Sequence, residues 1–259
     1  MITSKSMHHT ERKRVVIKLG GSTLERLSEG FFTRFNELRN EGYEVVIVHG
    51  GGPFINEALK ETGIESKIDH GIRVTCEKSI EIVKQVLIGN VNTSLVHQLN
   101  RNAVEAIGLN GFDGKLLECS MLDEKRYGFV GNIHAVNQTM IEKLLVAEMV
   151  PVISCIGSTN DGFALNINAD TVASAIAFAI GAESLLLVTD TPGIKIENQI
   201  KQSATPGQIA KWIENGDIYG GMIPKVNAAV ACLDAGVATV QVVDQYLTGT
   251  MIAFEEVLN

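Results

Sequence analysis

Two runs of β-branched residues that end in glycine constrain this chain more than any other feature. VVIKLGGS (15–22) and VVIVHGGGP (45–53) each read as a buried strand, because the apolar residues are continuous rather than alternating. Each run then carries a basic side chain, Lys18 or His49, and loses its side chains at two or three successive glycines. Between them FFTRFNELRN is apolar at helical spacing. Strand, helix and strand make one βαβ unit, whose crossover is right-handed and whose strands need helical cover on both faces.

The pattern continues. Strands are expected over 15–19, 44–48, 103–107, 150–156, 184–189 and 239–243. Helices are expected over 31–40, 54–62 (opened by Pro53), 79–101, 138–148, 169–180, 206–215 and 224–235. KLLEC, YGFVGNIHAV, the turn NDG and IKIENQIKQ read as β-hairpins on the rim. The expected fold is α/β: an open, mainly parallel central sheet sandwiched between helices. A polar leader over 1–14 precedes it, and no linker or tandem repeat interrupts it.

Charge narrows the partners. A net charge of −8 leaves no excess of Lys and Arg for a nucleic-acid backbone. The most apolar stretch, 171–188, is broken by Gly181 and Glu183, and falls short of the roughly 20 apolar residues that span a bilayer. MITSKSMHHTERKR has no apolar core and is not a secretory signal. Cys76, Cys119, Cys155 and Cys232 are scattered without metal-ligand spacing, so reduced thiols in a cytoplasmic protein are expected.

Four constellations could carry chemistry. In an open parallel sheet ligands bind beyond the carboxyl ends of the strands. Glycines there let backbone N–H groups approach an anion, and the helix that follows adds its positive end. Gly20 and Gly21 beside Lys18, and Gly51 and Gly52 after His49, suit a phosphate cradle; tight turns for helix packing are the plain alternative. In LNINAD (165–170), Asn166, Asn168 and Asp170 share one side of an extended segment, with Asp170 as a simple helix cap the alternative. YGGMIPKVNAA (219–229) places Gly220 and Gly221 before an apolar helix that carries Lys225, which is otherwise a solvated charge. In HGIRVT (70–75), Arg73 lies among apolar neighbours and could clamp a carboxylate or form a structural ion pair. Two lysines, an arginine, an aspartate and backbone amides fit phosphoryl transfer, which asks a protein mainly for positioning and charge neutralisation.

The ordered set IKLGGS, VIVHGGGP, GIRVT, LNINAD, TDTPGI and GGMIPKV resembles the amino acid kinase family. GIRVT, NINAD and GGMIPKV resemble its branch acting on N-acetyl-L-glutamate. The resemblance runs from about Val15 to Val243. It implies that ATP, with Mg²⁺ held mainly through its phosphates, phosphorylates the side-chain carboxylate of N-acetyl-L-glutamate in arginine biosynthesis. It further implies that Lys18 and Lys225 flank the transferred group while Asp170 holds both lysines. Gly21, Gly51 and Gly52 would stabilise that group. Arg73 and Asn166 would grip the acceptor, with Asn168 a further polar position of the motif. Gly20, Thr189, Asp190, Gly193, Gly220 and Gly221 would border the nucleotide. An N-terminal lobe (15–180) would bind the acyl amino acid and dimerise, and a C-terminal lobe (181–259) would bind the nucleotide.

The tail departs from the family's pattern. After strand 239–243 the family carries a loop and a further helix, whereas VVDQYLTGTMI passes almost directly to a Gly-Thr strand. The short leader, compared with the longer N-terminal helix of arginine-inhibited relatives, implies a homodimer without arginine feedback. Two other readings remain open at this point: a member of the family with a different acceptor, and a catalytically silent protein that binds amino acids or ATP.

Overall fold

The computed structural model describes residues 13–258, Arg26 excepted. Most of the expected leader, residues 1–12, lies outside the described residues, and Arg14 already belongs to the first strand. The chain opens with β1 (Arg14–Leu19), α1 (Glu29–Asn40), β2 (Glu44–His49) and α2 (Gly52–Glu61). A small hairpin of β3 (Ile68–Asp69) and β4 (Ile72–Arg73) follows, then α3 (Glu77–Lys84), a π-helical segment Gln85–Asn92, and α4 (Thr93–Arg101). Next come β5 (Ala106–Leu109), β6 (Leu117–Met121), α5 (Glu124–Tyr127), β7 (Gly131–Val136), α6 (Gln138–Val146), β8 (Val150–Ser154), β9 (Ile156–Ser158) and β10 (Ala164–Asn166). The remainder is α7 (Ala169–Ala179), β11 (Ser184–Val188), the hairpin β12 (Lys195–Ile196) with β13 (Gln199–Ile200), β14 (Ser203–Ala204), α8 (Pro206–Glu214), α9 (Met222–Asp234), β15 (Val240–Val243), β16 (Gly249–Ile252) and α10 (Glu255–Leu258).

Eight strands form one sheet in the order β14-β16-β15-β11-β1-β2-β8-β5, parallel at every pairing except β15 with β16. Val15, Val16 and Ile17, and likewise Val45 to Val48, are buried in unbroken runs, so both faces of the sheet are covered. Residues 15–180 supply β1, β2, β8 and β5. Residues after 180 supply β11, β15, β16 and β14, and the two halves share the continuous β1–β11 ladder from Val15↔Ser184 to Leu19↔Val188. The rim hairpins expected from KLLEC, YGFVGNIHAV and NDG combine into a second sheet, β10-β9-β6-β7.

Three local features differ from the sequence reading. The expected strand 150–156 divides at Cys155, because β8 belongs to the large sheet and β9 to the small one. The expected helix 79–101 is continuous in direction, but its middle is π-wound from Gln85 to Asn92. Eight residues make only about two turns of either winding, too few for hydrophobic spacing to separate them, so this was not legible. The β3–β4 hairpin and α5 escaped periodicity, being too brief to show a period, whereas the hairpin expected from IKIENQIKQ is present as β12–β13.

The compressed tail is a tight hairpin. Asp244 Oδ1 accepts the Tyr246 N–H at 2.8 Å and the Asp244 N–H donates to Thr248 O at 3.1 Å, folding β16 back on β15. A Cβ at Gly249 would lie 2.0 Å from Val242 O, so no side chain fits there. Gly249→Ala is therefore expected to destabilise the fold by about 1–3 kcal/mol, seen as a lower urea midpoint with an unchanged slope. A midpoint equal to that of the unaltered protein would refute the close approach.

Candidate active site

Phosphate cradles belong beyond the carboxyl ends of parallel strands, and three loops meet there: the ones leaving β1, β2 and β11. A cavity of about 710 Å³ lies elsewhere. It is lined by Arg39, Gly42, Glu44, Glu148 and Val150 near the opposite, amino ends of β2 and β8.

Lys18 sits one residue before the end of β1, with Val48 and Leu187 beside it on the neighbouring strands. Its Nζ lies 2.8 Å from Asp170 Oδ1. The contact neutralises charge, yet Asp170 Oδ1 is shut off from water and lacks a well-aligned hydrogen-bond donor. Asn168, not Asp170, caps α7: its Oδ1 accepts the N–H groups of Asp170 at 2.7 Å and Thr171 at 3.4 Å. The cap assignment offered by the sequence thus moves two residues, which leaves the Asp170 carboxylate for the lysine. A Cβ on Gly20 would come within 3.1 Å of Lys18 Nζ, so the glycine gives the ammonium its room. Gly21 follows at φ +56°, a left-handed turn that glycine makes without strain.

The loop after β2 begins α2 at Gly51 without a side-chain cap, leaving the first-turn N–H groups of the helix to a ligand. Gly50, Gly51 and Gly52 line a cavity of about 190 Å³ shared with Arg73, Cys155, Asn166 and Asn168. Arg73 is half-buried. Its guanidinium donates to Ser66 Oγ and, at 3.5 Å, to Gly52 O, and burial lowers its pKa. Among the described residues it has no carboxylate partner, which disposes of the structural ion pair. Asn166 Nδ2 donates to Thr75 Oγ1 at 3.1 Å, and Thr75 Oγ1 donates to Arg73 O at 2.8 Å, tying β10 to the arginine's backbone.

Lys225 lies in the first turns of α9, whose start carries Gly220 at φ +57° and Gly221 as an uncapped first position. Its ammonium pairs with Asp190 and also donates to Thr191 Oγ1 at 3.2 Å. That pairing draws the Asp190 carboxyl below its usual range. The expectation that Asp170 holds both lysines is therefore met only for Lys18; Asp190, leaving β11, takes the second. Thr189 Oγ1 accepts the Thr191 N–H at 3.2 Å and shapes this turn. Gly193, at φ +121°, passes so close to β16 that a Cβ would meet Thr250 Oγ1 at 2.7 Å. Beside these residues a second cavity, about 340 Å³, is lined by Thr23, Thr189, Asp190, Pro192, Asp244, Gln245 and Tyr246.

Two ammonium groups thus stand over the ends of adjacent strands, β1 and β11, whose axes run about 4.8 Å apart. Sequence reasoning missed Ser66, Thr75 and Thr191, whose hydroxyls fix the site but belong to no sequence period. It noted His49 without giving it a task. His49 is wholly buried: Nδ1 contacts Gly50 O at 2.8 Å and Nε2 contacts Asn92 Nδ2 at 2.9 Å. Burial pushes its pKa down to about 4, against a smaller upward pull from the Gly50 carbonyl. Among the described residues no three His, Cys, Asp or Glu side chains gather as a metal site, and no helix is long and apolar enough to cross a membrane.

The model of the amino acid kinase family matches residues 13–244. An acetylglutamate kinase of Geobacillus kaustophilus is 43% identical over 89% of this chain and 90% of its own length. One from Streptococcus sanguinis is 38% identical over 92% of this chain and 98% of its own. A crystal structure of a Streptococcus mutans protein superposes with a TM-score of 0.83 at 33% identity, covering 93% of this chain and 98% of that one. A carbamate kinase from Giardia lamblia, bound to AMP-PNP, shares the fold at 14% identity, with a TM-score of 0.64 over 95% of this chain and 99% of that one.

The buried histidine makes stability depend on pH. Unfolded, it titrates near 6.5; folded, at about 4. Between these values the unfolded chain holds more protons, so stability falls as pH drops through that window, by about 3 kcal/mol in all. Urea midpoints measured from about pH 7.5 to pH 4 should fall more steeply for the unaltered protein than for His49→Asn. Parallel profiles would show that His49 titrates normally.

Proposed function

The chain belongs to the amino acid kinase family, and we propose that it transfers the γ-phosphoryl group of ATP to the side-chain carboxylate of N-acetyl-L-glutamate, a step in arginine biosynthesis. The observations that carry this reading are Lys18 at the end of β1, paired with Asp170, and Lys225 of α9, paired with Asp190 after the adjacent strand β11, together with a cavity whose half-buried guanidinium has no carboxylate partner among the described residues. The two relatives, named acetylglutamate kinases and matched over about nine-tenths of the chain, support the choice of acceptor.

The chemistry needs little else. A carboxylate acceptor is already ionised at neutral pH, so no general base is required to activate it. Its oxygen attacks the γ-phosphorus in line, the bond to the β–γ bridging oxygen breaks, and an acyl phosphate and ADP result. Arg73 takes the acceptor's α-carboxylate, and Asn166, with Asn168 near it, faces the acetamido portion. Lys18 serves the incoming side and Lys225 the leaving side, while the amides of Gly21, Gly51 and Gly52 bind the equatorial oxygens. The nucleotide lies along Gly20, Thr189, Asp190, Gly193, Gly220 and Gly221. Residues 15–180 hold the acceptor and 181–259 most of the nucleotide, which Gly20 also borders. A Mg²⁺ ion would be held mainly through the phosphate oxygens and would supply charge neutralisation there, with Asp170 and Asp190, the partners of the two lysines, as the carboxylates available to it. Four unpaired cysteines fit a reducing cytoplasm, and a homodimer, to be checked by light scattering, completes the reading.

Mg-ATP, N-acetylglutamate and hydroxylamine should give the hydroxamate that traps an acyl phosphate; product from another carboxylate alone would reassign the acceptor. One opposite charge at about 4 Å in a partly desolvated site is worth roughly 4 kcal/mol. Lys18→Ala and Lys225→Ala should each lower kcat on the order of 10³-fold, with little change in either KM. Undiminished turnover would remove the lysine from its role. Arg73→Ala should raise the KM for the acylated amino acid with kcat largely kept, and a pure rate effect would place Arg73 elsewhere.

A further inference from the structure

The loop that carries Gly51 and Gly52 is braced from beneath by His49 and Asn92, neither of which lines the Arg73 cavity. Asn92 ends the π-helical segment Gln85–Asn92 and is buried. Its Nδ2 donates to Val152 O at 2.9 Å and meets His49 Nε2 at 2.9 Å. The Val152 carbonyl can only accept, which fixes the amide's orientation and makes His49 Nε2 the acceptor of its second N–H. The other ring nitrogen, Nδ1, must then carry the proton and donate it to Gly50 O at 2.8 Å. The Cys155 thiol donates to His49 O at 2.8 Å, gripping the preceding peptide as well. The same π segment packs directly on the loop, for a Cβ at Gly51 would meet Leu87 Cδ2 at 2.6 Å and Val91 Cγ2 at 3.3 Å.

A continuous α-helix would turn Asn92 away from the direction it has here, and π turns within helices concentrate at functional sites. Gly108 makes room for the amide: a Cβ there would lie 2.0 Å from Asn92 Oδ1. The contacts form one chain, from β8 through Asn92 and His49 to the Gly50 carbonyl. Fixing that carbonyl fixes the plane of the Gly50–Gly51 peptide, and with it the direction of the Gly51 N–H.

We propose that His49, its Nδ1 proton set by the Gly50 carbonyl and its ring held by Asn92 of the π-helical segment, is a positioning residue that aims the Gly51 amide at the migrating phosphoryl group. This rests on the phosphoryl-transfer reading of the site. A donor aimed at developing charge acts on turnover rather than on ground-state binding, and losing one costs about 10²–10³ in rate.

The test is a set of variants read by steady-state kinetics and by ring-nitrogen NMR of histidine-labelled protein. His49→Leu should lower kcat about 10²-fold with both KM values within about threefold. His49→Asn, which restores a donor near the place of Nδ1, should recover most of the loss. In the unaltered protein Nδ1 should carry the proton, and Asn92→Ala, which leaves Nε2 without its donor and the ring less firmly held, should lower kcat. Folded His49→Leu with undiminished kcat, His49→Asn no better than His49→Leu, or a proton on Nε2 in the unaltered protein would each overturn the proposal. If His49→Leu does not fold, Asn92→Ala and the tautomer of the unaltered protein decide. If the unaltered protein makes no acyl phosphate, the reading of the site fails, and the NMR result still settles the brace by itself.

Discussion

A primary ammonium at the end of a strand buried on both sides has to be neutralised, and the region around Lys18 is arranged to do so. Val16 and Ile17 are inaccessible and Lys18 is largely covered, so its charge cannot rely on water. Asp170 supplies the opposite charge at 2.8 Å, from a helix that enters the sheet's carboxyl edge between β1, β2 and β11. Asn168 makes this possible. By accepting both first-turn N–H groups of α7, it spares the aspartate the capping task its place in the sequence would otherwise give it. The direction of α7, the placement of Lys18 and the room left at Gly20 follow from that one pairing.

The second lysine meets the same requirement differently. Lys225 reaches the sheet from α9 and pairs with Asp190, whose side chain is 71% exposed, while Asp170 is 27% exposed. Water screens the first pair far more than the second. The two ion pairs are thus unequal by construction: one is a fixed part of the sheet's edge, and the other sits where an incoming polyanion can compete with the aspartate. An anion approaching α9 would meet that ammonium and the uncapped start of the helix beside it.

Much of the fold was legible because its signals are periodic. Continuous β-branched runs gave the parallel strands, 3.6-residue spacing gave the helices, and Gly or Pro at their ends gave the turns. Lys18, Arg73 and Lys225 were legible because a charge among apolar residues needs a reason. What escaped lacks a period. Thr75, Thr191 and Ser66 are ordinary polar residues until the β3–β4 hairpin and the turn after β11 bring their hydroxyls to the site. Asp190 was noted as bordering the nucleotide, but its partner stands 35 residues away, and only the α9–β11 geometry shows that it holds Lys225. The π-winding of 85–92 was hidden for another reason: it changes which side chains face inward without changing the composition of the segment.

That hidden winding bears on how a glycine loop can be both open and rigid. Three successive glycines free the backbone to approach an anion, and the same freedom costs entropy each time the loop must be held in one conformation. Side chains cannot limit that freedom from within, because the approach requires their absence. The restraint has to come from outside the loop, through its carbonyls, and it has to avoid the N–H groups that a ligand will need. His49 and Cys155 meet both conditions: each donates to a carbonyl, at Gly50 and His49 respectively, and neither touches an amide of Gly51 or Gly52. A neutral imidazole is suited to this place, since a charged one would add a repulsive proton at Nε2 against the Asn92 amide, and burial keeps it neutral throughout the physiological range. The glycines provide access, the buried histidine provides preorganisation, and the parallel sheet keeps the two in register.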